Sequence, residues 1–161
     1  MGDCGDGFMA QYGALREDGL LDDLRAAVAA GRCPGGLYVY GHSLGGAEAS
    51  LLGAELSVAP IGAEVHVYTY GEPRTFAGDS AEVYGSTVDK VRWTRWGDPV
   101  VAVPYPSMGF AHYGQARELY RSWTGGFFAT EEEDDFAPYG FDPYQHATSA
   151  YEEALDAACP D

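Results

Sequence analysis

Apolar residues recur at near-helical spacing through residues 8–30, where Leu15, Leu20, Leu21, Leu24 and Val28 form a stripe. The segment reads as an amphipathic helix or as a pair broken at Gly19. Cys33-Pro34-Gly35-Gly36 is a turn, and Leu37-Tyr38-Val39-Tyr40 after it is a short run of β-formers. That run predicts a strand buried on both faces. A tight turn over residues 41–46 separates it from a small-residue helix at 47–56. A second strand is expected at 65–70, ended by Gly71-Glu72-Pro73, then a short helix at 81–84 and a third strand at 88–93. Beyond Gly97 the chain reads as loop-rich, with five of the nine prolines between Pro99 and Pro143. A last amphipathic helix is expected at 148–158. Strand–helix–strand alternation predicts a parallel sheet flanked by helices. No repeat interrupts it.

Composition narrows the function classes. A chain of 161 residues, 46% hydrophobic and 14% aromatic, suggests one domain with a core of its own. The formal charge is −16, and deleting the acidic run at 131–135 would still leave −11. Acidity spread so widely repels phosphate backbones and anionic lipid surfaces, which argues against nucleic acid as a partner. The acidic run lacks the alternation and the glycine of a calcium loop, so it reads as solvated loop and not as a metal site. Cys4, Cys33 and Cys159 stand too far apart for a CxxC pair. No apolar stretch approaches the ~18 residues of a membrane span. The first residues carry neither the basic end nor the apolar run of a signal peptide. The compartment and the oligomeric state stay open.

The chemistry is concentrated in Gly41-His42-Ser43-Leu44-Gly45-Gly46, between an expected strand and an expected helix. A G-x-S-x-G turn in that context is a nucleophile elbow. Glycines are expected at both ends because a Cβ there would strike the neighbouring strand or helix. Ser43, forced into strained dihedrals, presents its Oγ above the sheet. The Leu44 backbone N–H and the positive end of the following helix can receive a developing oxyanion. A serine nucleophile requires a base beside it and an acid that orients the base, in the chain order Ser, Asp or Glu, His. Asp98 follows the third strand, and downstream of it stand two histidines, His112 and His146. His42 is expected to point away from Oγ and pack, and His66 sits within a strand.

The segment from Val39 to Ala47 resembles the elbow of the class 3, fungal-type lipases, a branch of the α/β-hydrolases. Three further segments resemble that family in the same order. They are Tyr68-Thr69-Tyr70-Gly71-Glu72-Pro73-Arg74, then Arg95-Trp96-Gly97-Asp98-Pro99-Val100 with Val103-Pro104, then Gly109-Phe110-Ala111-His112-Tyr113-Gly114. The resemblance implies an α/β-hydrolase fold with Ser43 as nucleophile, Asp98 as acid and the later histidine, His146, as base. His112 is the alternative base. No metal or organic cofactor is implied.

In the family the domain begins well before the elbow, with further strands, a second oxyanion donor and a lid. Asp3-Cys4-Gly5-Asp6-Gly7-Phe8 resembles its "H-x-G-F" segment, with Gly5 where the histidine would stand. The expectation is therefore the C-terminal portion of a larger hydrolase domain. The expected activity is carboxylic-ester hydrolysis, on acylglycerols first. A phospholipase or feruloyl-type esterase on the same scaffold, and a non-catalytic binding domain, are the alternatives.

Overall fold

The computed structural model describes residues 4–121, 127–132 and 141–158. The first apolar stripe folds as two helices, α1 (Asp6–Glu17) and α2 (Leu20–Ala29). They break at Gly19, whose φ of 96° suits a residue without Cβ. Strand β1 (Leu37–His42) runs through the elbow into α3 (Leu44–Val58). Strand β2 (Val65–Tyr70), the short β3 (Phe76–Ala77), α4 (Gly78–Gly85) and β4 (Asp89–Arg95) follow. A two-residue strand, β5 (Phe110–Ala111), pairs antiparallel with β3. Then come β6 (Gln115–Arg121), β7 (Phe127–Glu132) and α5 (Thr148–Ala158).

The main sheet has the order β1-β2-β4-β6-β7. Its first four strands are parallel, and β7 runs antiparallel to β6. Two expectations are corrected here. The stretch beyond Gly97, expected to be loop-rich, contributes three paired strands, β5, β6 and β7, and Glu131 and Glu132 of the acidic run lie in β7. The rest of that run, like Cys159, lies outside the described residues. Strand β1 is not buried on both faces: Tyr38 is 50% and Tyr40 63% exposed. It is the edge of the sheet, and only its Leu37 and Val39 pack on the core beneath α3.

Side chains alternate across the sheet, which divides the core in two. On one face Val67 belongs to one buried cluster with Tyr12, Leu21 and the α3 residues Ala49, Leu52 and Leu56. On the other, Tyr70, Trp93 and Leu119 meet Tyr151 and Ala154 of α5. Helix α3 lies close on the sheet because its facing residues are small. A Cβ on Gly53 would stand 2.8 Å from Val67 Cγ2.

Beneath the elbow a charged group is enclosed. Lys90 Nζ donates to both oxygens of Glu72, at 2.9 and 2.7 Å, and to Ser50 Oγ at 2.6 Å. Ser50 and Thr69 donate to the same carboxylate at 2.7 Å each. The ammonium also lies 3.9 Å over the Tyr113 ring. Every one of these groups is buried, so removing one partner would cost about 3–5 kcal/mol through the charge left uncompensated. The cluster ties α3, β2 and β4 together directly under the serine.

Candidate active site

Ser43 sits between the last residue of β1 and the first of α3 with φ 57° and ψ −124°. It is the one non-glycine residue with positive φ among those described. Such backbone costs of order 1–3 kcal/mol and persists where its surroundings enforce it. Here the Ser43 N–H donates to the Tyr70 carbonyl at 2.9 Å, fastening the elbow to the end of β2. Its own carbonyl accepts from Gly46 and Ala47 and starts α3. The two elbow glycines prove unequal. A Cβ on Gly41 would lie 2.1 Å from the Gly45 carbonyl oxygen, whereas one on Gly45 would meet nothing within 4 Å. The expected clash at Gly45 is therefore absent, and the close approach belongs instead to Gly46, whose Cβ would stand 3.1 Å from Glu72 Cβ.

Three side chains converge from three loops at the carboxyl ends of the strands. His146 closes a 3₁₀ turn, Pro143–His146, that leads into α5. Its Nε2 lies 2.7 Å from Ser43 Oγ and its Nδ1 2.9 Å from Asp98 Oδ2. Asp98 follows β4 and is fully buried. Its Oδ1 accepts from the Val100 N–H at 2.8 Å, and its Oδ2 also accepts from the Tyr151 hydroxyl at 2.7 Å. Burial first, then the Asp98 charge, pushes the Tyr151 phenol well above its ordinary range, so it remains a donor. The carboxylate is thus held by three donors and faces the imidazole with fixed geometry. The turn at Gly71 makes room for the pair. With φ 58°, a Cβ there would stand 2.9 Å from Asp98 Oδ2 and 3.0 Å from His146 Nδ1.

His112 is engaged elsewhere. Its Nε2–H donates to the Val101 carbonyl at 2.9 Å. Burial, followed by the nearby Arg92 charge, drives its pKa well below 6.5, so the ring stays neutral. The residue brought to Ser43 is His146. Arg74 grips the same loop from the other side: its backbone N–H donates to Val103 O, and its guanidinium to Ala102 O and Pro104 O. Two of the motif segments, the one ending in Arg74 and the one containing His112, therefore hold the loop that carries Asp98.

Three residues that the sequence reading left without a part touch this site. Gly71 and Tyr151 have been described. His42, expected only to pack, has its Nε2 2.8 Å from the His146 carbonyl oxygen and its ring stacked on that of His146. Only the alternation along β1 hints at this, since it puts His42 on the α5 face. The Leu44 N–H occupies the first turn of α3, where no intrahelical acceptor exists. Among the described residues no group of three or more His, Cys, Asp and Glu could hold a metal ion. Chemically, the order Ser43–His146–Asp98 can withdraw the hydroxyl proton, while helix α3 offers N–H groups to an anion formed beside it.

Comparison with known proteins bears on the family and the fold. The sequence pattern of the lipase (class 3) family matches residues 1–108. The secreted mono- and diacylglycerol lipase A of Penicillium cyclopium is 32% identical over 107 residues, which is 66% of this chain and 34% of that protein. The chain therefore spans about a third of the length of that curated relative. Among solved structures, the Rhizomucor miehei lipase in its propeptide complex superposes with a TM-score of 0.65 at 28% identity, covering 72% of this chain and 38% of the other. Rhizomucor miehei triacylglyceride lipase superposes at 0.76 and 23% identity over 89% and 57%, a likeness of fold. The sheet order, the strained serine between β1 and α3 and the family pattern over residues 1–108 agree, and the chain belongs to the class 3 lipase family.

Proposed function

We propose that the protein is a carboxylic-ester hydrolase acting on acylglycerols through a serine acyl-enzyme. The observation that carries this reading is the unbroken hydrogen-bonded line from Ser43 Oγ to His146 Nε2 and from His146 Nδ1 to Asp98 Oδ2. In the first half-reaction His146 takes the Ser43 proton as Oγ attacks the ester carbonyl. Asp98 keeps Nδ1 protonated, so that Nε2 is the basic nitrogen, and stabilises the imidazolium that forms. The tetrahedral oxyanion is received by the Leu44 N–H at the positive end of α3. The imidazolium then returns its proton to the departing glycerol oxygen. In the second half-reaction water, deprotonated by His146, releases the fatty acid and restores the serine.

The surroundings favour a substrate with an apolar chain. Leu44, Trp96 and Tyr144 are exposed, and each lies within two residues of Ser43, Asp98 or His146 along the chain. A strongly acidic surface suits neutral esters better than anionic phospholipids. The relatives' names point to mono-, di- and triacylglycerols as substrates of those proteins.

The experiment is hydrolysis of emulsified mono- and diacylglycerols, phosphatidylcholine and a feruloyl ester by the purified chain and by Ser43→Ala. Release of fatty acid from the acylglycerols, lost by a factor of about 10⁶ in Ser43→Ala, is the expected result. Release that survives the substitution, or preference for the feruloyl ester or the phospholipid, contradicts the proposal.

A further inference from the structure

The base of the proposed mechanism sits on a short, partly exposed turn. The turn Pro143–His146 carries Tyr144 at 84% exposure, and Phe141 before it is exposed too. Its backbone is tied back toward β4 by the Asp142 N–H donating to Gly97 O at 3.0 Å. A second tie comes from the strand that bears the nucleophile. His42 Nε2 lies 2.8 Å from the His146 carbonyl oxygen. A carbonyl only accepts, so Nε2 of His42 carries the hydrogen and donates it. The two imidazoles stack with centroids 4.8 Å apart and planes 29° from parallel, and Tyr151 closes on His42 edge-on at 5.8 Å. The remaining nitrogen, Nδ1, faces Thr148 Oγ1 at 3.5 Å, on the first residue of α5.

We propose that His42 is a positioning residue that clamps the base: its Nε2–H fixes the His146 backbone while Asp98 fixes the His146 ring. This inference rests on the reading of His146 as the base. The clamp links the residue adjacent to Ser43 directly to the turn that carries the imidazole, so nucleophile and base move as one body. Without it, Asp98 still orients the ring and Asp142 still holds the start of the turn, but the His146 backbone loses its direct tie to β1. A displacement near 1 Å costs a proton-transfer geometry about 10²-fold. The substitution that removes the donor should therefore lower the rate of chemistry and leave substrate affinity alone.

Three variants separate the hydrogen bond from the stack. His42→Phe keeps an aromatic ring and loses the donor. His42→Gln places an amide N–H where Nε2–H stood and loses the ring, and His42→Asn has an amide too short to reach the carbonyl. The readouts are the second-order rate of labelling by a fluorophosphonate, kcat and KM for a soluble ester, and the melting temperature. We expect H42F and H42N to lose about 10- to 100-fold in kcat and labelling, with KM within about twofold. H42Q should recover to within about threefold of the original chain. Labelling of H42F at the unaltered rate, or equal impairment of H42Q and H42F at unchanged melting temperature, overturns the clamp while leaving the hydrolase reading intact. Absence of any Ser43 adduct on the unaltered chain overturns both.

Discussion

Gly41 and Gly45 bracket one serine under different constraints. At Gly41 a methyl group would collide with the backbone of the following turn, 2.1 Å from Gly45 O and 2.7 Å from Gly46 N. Backbone cannot step aside as a side chain can, so Gly41→Ala should abolish labelling of Ser43 and lower the melting temperature. Gly45 lies one residue inside α3 with open space around its Cβ position. There alanine replaces a flexible residue in a helix, which is worth about 0.5–1 kcal/mol of stability. Gly45→Ala should melt slightly higher and keep hydrolysis within a few-fold; a loss as severe as that of Gly41→Ala would contradict the account. Position along the chain marks Ser43 in the elbow and Asp98 after β4, whereas the preference for His146 over His112 comes from the resemblance to the class 3 lipases. His42, Gly71 and Tyr151 were not legible as partners. Their roles arise from contacts across 104 residues for His42–His146 and 53 for Tyr151–Asp98, which no local pattern encodes.

At the scale of elements, the strands with β-branched and aromatic runs were legible and the charged ones were not. Gln115-Ala116-Arg117-Glu118-Leu119-Tyr120-Arg121 offers only Ala116 and Leu119 to buried positions, spaced off the two-residue period. Its identity as a strand comes from parallel pairing with β4 and from β7 on its other side. The faces of β1 were misjudged for a related reason, because burial of an edge strand depends on what lies across the sheet.

The loop after Asp98 supplies a pH test. His112 holds it through Val101 O and is kept neutral by burial and the Arg92 charge. Above pH 6.5 both folded and unfolded chains carry a neutral His112, so nothing is lost there. Below it the unfolded chain binds a proton that the folded chain refuses. Stability then falls by up to about 1.4 kcal/mol per pH unit until the folded pKa is reached. His112→Gln retains a donor for Val101 O and does not titrate. Urea unfolding from pH 7.5 to 5 should show a shallower acid decline for H112Q; parallel curves would remove His112 from the explanation.

Over the whole molecule, charge and shape act separately. Of the nine Lys and Arg residues, Lys90, Arg92, Arg95, Arg117 and Arg121 lie on the adjacent strands β4 and β6, leaving most of the surface acidic. That distribution bears on which interfaces the protein approaches and leaves the chemistry at Ser43 untouched. Among the described residues no helix is long and apolar enough to cross a membrane. The central claim is that Ser43 is activated by His146 under the hold of Asp98. Its most direct test is mass spectrometry of the chain after exposure to a fluorophosphonate, with the same exposure of His146→Ala and Asp98→Asn. The account predicts one adduct on the peptide containing Ser43, none on His146→Ala in the same time, and adduct formation slowed by about 10⁴-fold in Asp98→Asn. An adduct that forms on Ser43 as fast without the His146 imidazole would contradict it.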